Sequence, residues 1–316
     1  MTEVERFRRI FRHVHASHRS CRDDEWLSEP CRDADGSLAE RPIVWSRRNG
    51  PWRRVPVLWV GAAPGNAGGL GSGDLGAHGT RIPFGGDIAG ANLDVLLSSI
   101  GITRNETFIV AAYNQLPARG GGEPSAAELA APVGAYPDSG ALLRDTVIAA
   151  GPALIIALGN VALRTLAAAL TRAYTAPAGR PTAAPRLRLP AQKRLHDAGL
   201  ARGFVHDWPD TLPLATGFRA AWRAAWGDEP AIRVLPVLHP SAQNMSPFAG
   251  TATLFHTRML DTRQALVAAA RTVLGWAPPA QRPHLPDDGI YALPEWRGRI
   301  AQRQARYDEL WRERGV

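Results

Sequence analysis

The sequence predicts an α/β protein of three layers, with a central four-stranded parallel sheet between two layers of helices. Three observations carry this reading. Four short strand-like runs, Val55 to Val60, Thr107 to Ala112, Ala153 to Leu158 and Arg233 to Leu238, alternate with helix-compatible segments, and that alternation indicates a parallel sheet covered on both faces. Gly61 and Gly159 punctuate the first and third runs where the chain must turn. With 316 residues, 45% of them hydrophobic, the chain can bury a sizeable core.

The elements follow in order. Val4, Phe7, Ile10, Phe11 and Val14 recur at helical spacing, so Val4 to His15 reads as a short amphipathic helix. Cys21 to Pro51 is irregular. The first strand ends in Gly61 and opens a long glycine-rich loop containing Pro64 and Pro83. A helix starts near Asp87, with Leu93, Leu96, Leu97 and Ile100 on its buried face. After the second strand, Asn114 to Ser125 is a polar loop. Gly140 to Ala149 is a helix, and Asn160 to Tyr174 is another, entered from the third strand through Gly159. Thr175 to Pro213 is a long connection rich in Pro and Arg. Ala215 to Trp226 is helical, and the fourth strand delivers His239. Leu254 to Leu274 is a long helix. Pro278-Pro279 ends that stretch, and Pro294 to Arg314 is a last, highly charged helix.

Composition narrows the function classes. No run of about 18 apolar residues exists, so no membrane-spanning helix is expected. Met1 to Arg19 lacks the apolar stretch of a signal peptide. The expectation is a soluble, cytoplasmic monomer. The net charge is +8, from 37 Lys and Arg against 29 Asp and Glu. An acidic partner, nucleic acid first, fits that charge. Arg-heavy codon usage in an Ala-, Gly- and Pro-rich chain explains it equally well. Cys21 and Cys31 are the two cysteines, too few for a four-cysteine zinc or iron–sulfur site. The histidines are dispersed, so neither a metal site nor a cofactor is expected.

Two segments at strand ends carry the chemistry. One is Gly61-Ala62-Ala63-Pro64-Gly65-Asn66, with Pro83-Phe84-Gly85-Gly86-Asp87 downstream; the other is Leu238-His239-Pro240-Ser241-Ala242-Gln243-Asn244. Ligands bind at the carboxyl ends of parallel strands, so the two segments are predicted to meet in space. Small residues that expose backbone, an aromatic face, an acid, an imidazole and several amides suit gripping a flat polar base. These residues resemble the uracil-DNA glycosylase superfamily, which places a Gly-x-x-Pro-Gly type loop after its first strand and a His-Pro-Ser motif after its last. The extended forms, Gly86-Asp87-Ile88-Ala89-Gly90 and His239 to Asn244, are most similar to the family-five (B-type) branch. The resemblance runs from about Val55 to Leu260. It implies a core of residues 51–275 with an insertion at 175–213, flanked by residues 1–50 and 276–316.

The resemblance also implies roles. Removing uracil from DNA means flipping the nucleotide out of the stack and breaking the C1′–N bond through an oxocarbenium-like transition state. Gly61 to Asn66 and Gly86 would line the base pocket. Phe84 would stack on the base; a core aromatic at a loop–helix junction is the other reading. Asp87 would be the acid, and it equally suits the N-cap of the following helix. His239 would hydrogen-bond the base O2 as negative charge develops, or anchor the turn before Pro240. Asn244 would reach the orphan base or position water. Asn114 would read uracil N3–H and O4. Ser241 and Gln243 would contact phosphate or position the strand, and Met245 and Phe248 would be either an apolar wedge filling the vacated stack or a hydrophobic loop anchor. Arg186 and Arg188, with Arg180, Lys193 and Arg194, would track phosphates or simply face water.

Two departures stand out. Families four and five hold an iron–sulfur cluster on four cysteines, which this chain does not have. Many relatives carry Asp, Asn or Glu where Ala62 and Ala63 stand, which moves the catalytic assignment to Asp87. The resemblance implies DNA containing uracil as partner and free uracil as product; that no cofactor is expected follows from the two cysteines. The rival readings are a non-catalytic nucleic-acid-binding module of the same fold and a glycosylase for other deaminated bases. A dinucleotide-binding domain is a weaker rival, because Gly71-Ser72-Gly73-Asp74-Leu75-Gly76 lacks the strand–turn–helix context it needs. No G-x-S-x-G elbow follows a strand, which counts against a serine hydrolase.

Overall fold

Four strands run parallel at the centre of the molecule: β3 (Val57–Gly61), β4 (Phe108–Ala111), β5 (Leu154–Leu158) and β7 (Arg233–Val237). Their spatial order is β4-β3-β5-β7. The computed structural model describes residues 54–63, 84, 88–104, 107–113, 117, 123–133, 136–172, 214–241, 253–277, 279, 281–285, 291 and 294–313, together with the strand pairing of 31–32, 38–39 and 206–207. A two-residue strand, β6 (His206–Asp207), adds antiparallel to the outer edge of β7. It lies inside the stretch read from the sequence as a plain connection. A second small pairing joins β1 (Cys31–Arg32) to β2 (Leu38–Ala39), within the segment read as irregular. The helix expected over Val4 to His15 lies outside the described residues.

The three layers follow from the alternation of side chains along each strand. Leu58, Val60, Phe108, Val110, Ile155 and Ala157 face one way. They pack on α3 (Ser139–Ala150), α4 (Asn160–Thr171) and α5 (Thr216–Trp226) through Leu142, Val147, Leu163, Leu166 and Trp222. Val57, Trp59, Ile109, Leu154, Ile156 and Leu158 face the other way. There they meet α1 (Ile88–Ser99), α6 (Thr253–Leu274) and α7 (Pro294–Glu313) through Leu93, Leu96, Met259, Leu266 and Tyr307. Every residue of β3 and β5 is buried, which is why those runs are apolar on both faces. Asp138 caps α3 by accepting from the Ala141 N–H at 2.8 Å. The short helix α2 (Ala126–Ala130) starts on a capping box formed by Ser125 and Glu128. Among the described residues no helix is long and apolar enough to cross a membrane.

Helix α1 differs from its sequence reading. The pattern predicts one buried face, and Leu93, Leu96, Leu97 and Ile100 do lie against the sheet side. Yet every residue from Ala89 to Ser99 is buried. The reason is α7, which packs against α1 and brings Trp296, Ile300 and Gln304 to Ala91 and Ser98. Asn92, Asp94 and Ser98 are therefore buried polar residues, and each needs a partner. Ser98 Oγ meets Gln304 Oε1 of α7 at 2.9 Å.

The topology also fixes where a ligand would sit. The connection from β3 to β4 uses α1 on one face of the sheet, and that from β5 to β7 uses α4 and α5 on the other. Adjacent strands whose outgoing connections diverge leave a crevice between their carboxyl ends. Here that crevice opens between the ends of β3 and β5.

Candidate active site

Gly61 ends β3 at this crevice. Its carbonyl accepts from the Ala112 N–H at 2.8 Å, and the Ala62 carbonyl accepts from the Tyr113 N–H at 2.9 Å. The exits of β3 and β4 therefore stay zipped together beyond the strands. Burial first, then the Glu128 carboxylate, pushes the Tyr113 phenol up, so it stays a neutral hydroxyl. Across the crevice, the Gly159 N–H donates to the Val237 carbonyl at 3.0 Å. A Cβ on Gly159 would lie 3.9 Å from His239 Cβ.

Phe84 joins the two sides. A Cβ on Gly61 would sit 3.2 Å from Phe84 Cζ and 3.3 Å from Cε2, so the ring rests on bare glycine backbone. A side chain at this position would require the ring to give by a few tenths of an ångström, so glycine suits the approach. The rings of Phe84 and His239 lie 5.5 Å apart between centroids, tilted by 35°. Gly61, Phe84 and His239, some 180 residues apart at the extremes, thus form one surface with a half-buried aromatic ring at its centre.

The backbone of Phe84 is strained. Its φ is 57°, in the left-handed region that non-glycine residues avoid. Such a conformation costs on the order of 1–3 kcal/mol and persists only where the surroundings enforce it. Two contacts enforce it here. Arg104 Nη2 donates to the Phe84 carbonyl at 2.9 Å. Gly90 of α1 lies directly beneath, where an added Cβ would stand 1.6 Å from that same oxygen. Gly90→Ala is therefore expected to lower the unfolding free energy by about 1–3 kcal/mol, the usual cost of overpacking. Urea denaturation checks this; an unchanged midpoint would mean that Phe84 lifts off α1 freely.

Arg104 is itself anchored. It is 1% exposed and Asp94 is 3% exposed. Arg104 Nε and Nη2 donate to Asp94 Oδ1 and Oδ2 at 2.7 and 3.1 Å. Tyr291 Oη donates to Asp94 Oδ1 at 2.8 Å, and Trp296 Nε1 donates to Oδ2 at 3.2 Å. Four donors satisfy this buried carboxylate, as a buried charge requires. Burial first, then the charge of Asp94, pushes the Tyr291 phenol upward, so it remains a donor. On the His239 side, Asn92 Nδ2 donates to the Pro240 carbonyl at 2.8 Å, and Tyr307 Oη donates to Asn92 Oδ1 at 3.3 Å. Helix α1 thus reaches both segments that the sequence singled out.

Of the residues named from the sequence, Gly61, Ala62, Ala63, Phe84, His239 and Ser241 are described. The first three leave β3, His239 and Ser241 follow β7, and Phe84 lies over Gly61 beside His239. Pro64, Gly65, Asn66, Gly86, Asp87, Asn114, Gln243, Asn244, Met245, Phe248, Arg186 and Arg188 lie outside the described residues. Sequence reasoning missed Asn92, Asp94 and Arg104. An acid between Leu93 and Val95 in an otherwise apolar helix was the available signal.

A search of curated proteins returns no match to the chain. Residues 49–263 of the 316, more than half of the chain, match the model of the Uracil DNA glycosylase superfamily. That match spans both strand-end segments and the crevice between them, and the chain belongs to this superfamily.

Proposed function

We propose that the protein is a monofunctional uracil-DNA glycosylase that flips uracil out of DNA and hydrolyses its N-glycosidic bond in base excision repair. The observation that carries this reading is the Phe84 ring, laid on Gly61 and facing His239 at the carboxyl ends of the strands. A flat base stacks on such a face, with an imidazole beside it to meet charge developing on the leaving group. The motif extensions favour the family-five branch, although two cysteines cannot ligate that branch's four-thiolate cluster.

In this mechanism the C1′–N1 bond breaks and its electron pair leaves with uracil. His239 donates to uracil O2 and stabilises that charge. Asp87 stabilises the oxocarbenium and takes a proton from the water that adds to C1′. Asn114 pairs with N3–H and O4, while Asn244 orders the water or the orphan base. Ser241 and Gln243 hold phosphate.

The test is release of free uracil from uracil-containing oligonucleotides, single- and double-stranded, by the purified protein without added metal. Release is the expected result. A second reading, a nucleic-acid-binding member without activity, draws on the methyl side chains of Ala62 and Ala63 where many relatives have a polar group. Binding of both substrates with no release would establish that reading instead.

A further inference from the structure

We infer that Arg104 is a positioning residue for Phe84, and that Tyr291 and Trp296, beyond the residues matched to the superfamily, hold Arg104 in place. The functional part of the inference rests on the glycosylase reading above; the geometric part does not.

Two features of Phe84 need a cause. Its backbone occupies a strained left-handed conformation, and its ring is pressed onto Gly61. Neither follows from local sequence, because Phe has no preference for positive φ. The Arg104 guanidinium supplies the cause by reaching the Phe84 carbonyl at 2.9 Å and the Gly90 carbonyl at 3.2 Å. One planar fork thus ties the strained residue to the helix beneath it while gripping Asp94 with two nitrogens. A lysine has one nitrogen and cannot reproduce that fork.

The fork needs its own support. Tyr291 Oη accepts from the Arg104 backbone N–H at 3.3 Å and donates to Asp94. Trp296 donates to Asp94, and its ring lies 5.7 Å from the Arg104 guanidinium carbon. The superfamily match ends at residue 263. The segment carrying Tyr291 and Trp296 lies beyond that match and completes the shell behind Phe84. Arg104 and Asp94 touch no reacting atom; they act through Phe84.

The test uses the full chain with its eight phenylalanines replaced by 4-fluorophenylalanine. The Phe84 signal in the ¹⁹F spectrum is assigned by its loss in Phe84→Leu. Arg104→Lys keeps the charge opposite Asp94 but removes the fork. In the labelled chain Tyr291→Phe becomes a ninth 4-fluorophenylalanine, which puts fluorine in place of the hydroxyl, removes the donor to Asp94 and adds one signal, identified by its absence from the wild type. In both variants the Phe84 signal is expected to shift or broaden while signals of phenylalanines far from the site, such as Phe218, stay put. Single-turnover uracil release is expected to slow about tenfold to a hundredfold, the effect of misplacing a binding group by about 1 Å. Affinity for product DNA with an abasic site is expected to stay at the wild-type level, which a general loss of folding would not allow. An unmoved Phe84 signal in Arg104→Lys overturns the inference, as does a moved signal with an unchanged rate. If the wild-type protein releases no uracil, the glycosylase reading fails and the spectrum alone decides whether Arg104 positions Phe84.

Discussion

Asp94→Ala is expected to lower the unfolding free energy by about 3–5 kcal/mol, the range seen when one partner of a buried ion pair is removed. The magnitude follows from what the substitution strands. Arg104, 1% exposed, keeps its charge with no carboxylate beside it. Tyr291 and Trp296 lose the acceptor they share. Equilibrium urea denaturation measures the loss as a lower midpoint at an unchanged slope. The double variant Asp94→Leu with Arg104→Met is expected to recover most of it, because two apolar residues replace a charge pair without leaving either member alone. Its uracil release is expected to stay impaired, since the Phe84 carbonyl then lacks its donor. Stability within about 1 kcal/mol of wild type in Asp94→Ala would show that the site relaxes or hydrates, contrary to the four-donor arrangement.

Asp87→Asn and His239→Ala are expected to slow single-turnover uracil release by about 10²–10³-fold each, as removing an acid–base group or an oxyanion donor does elsewhere. Asp87 directly precedes Ile88, the first residue of α1, and the sequence also reads it as that helix's N-cap. Asn caps about as well as Asp. The variant therefore separates the two roles: stability is expected to hold while the rate falls. His239→Gln, which keeps a donor, is expected to lose less activity than His239→Ala. Wild-type rates in Asp87→Asn and His239→Ala would remove the roles assigned to them.

The sheet was legible in the sequence because its two central strands, β3 and β5, are buried on both faces and end at Gly61 and Gly159. Val57–Gly61 and Leu154–Leu158 fall within two residues of the predicted runs. The meeting of Gly61, Phe84 and His239 was legible too, since parallel strands bring their carboxyl ends to one edge. The supporting shell was not. Asn92 and Asp94 look like the solvent side of an amphipathic helix until α7 is placed over them, and the one local signal, an acid between Leu93 and Val95, does not say what covers it. Helix α2 did carry a local signal, since Ser125 and Glu128 have the capping-box spacing. Strand β6 did not, because two paired residues leave no periodicity to read.

The burial of α1 has a consequence for the order in which the molecule is assembled. Asp94 and Trp296 are 202 residues apart in the chain, and Asn92 and Tyr307 are 215 apart. The strands of the sheet are all synthesised before those partners emerge. A nascent chain can close its sheet and bury Leu93 and Leu96 while Asp94 still relies on water. Contacts across such long loops form late, because closure entropy must be met before they return any energy. The shell beneath Phe84 is thus expected to be among the last parts of the protein to form, with the sheet folded before that shell is complete.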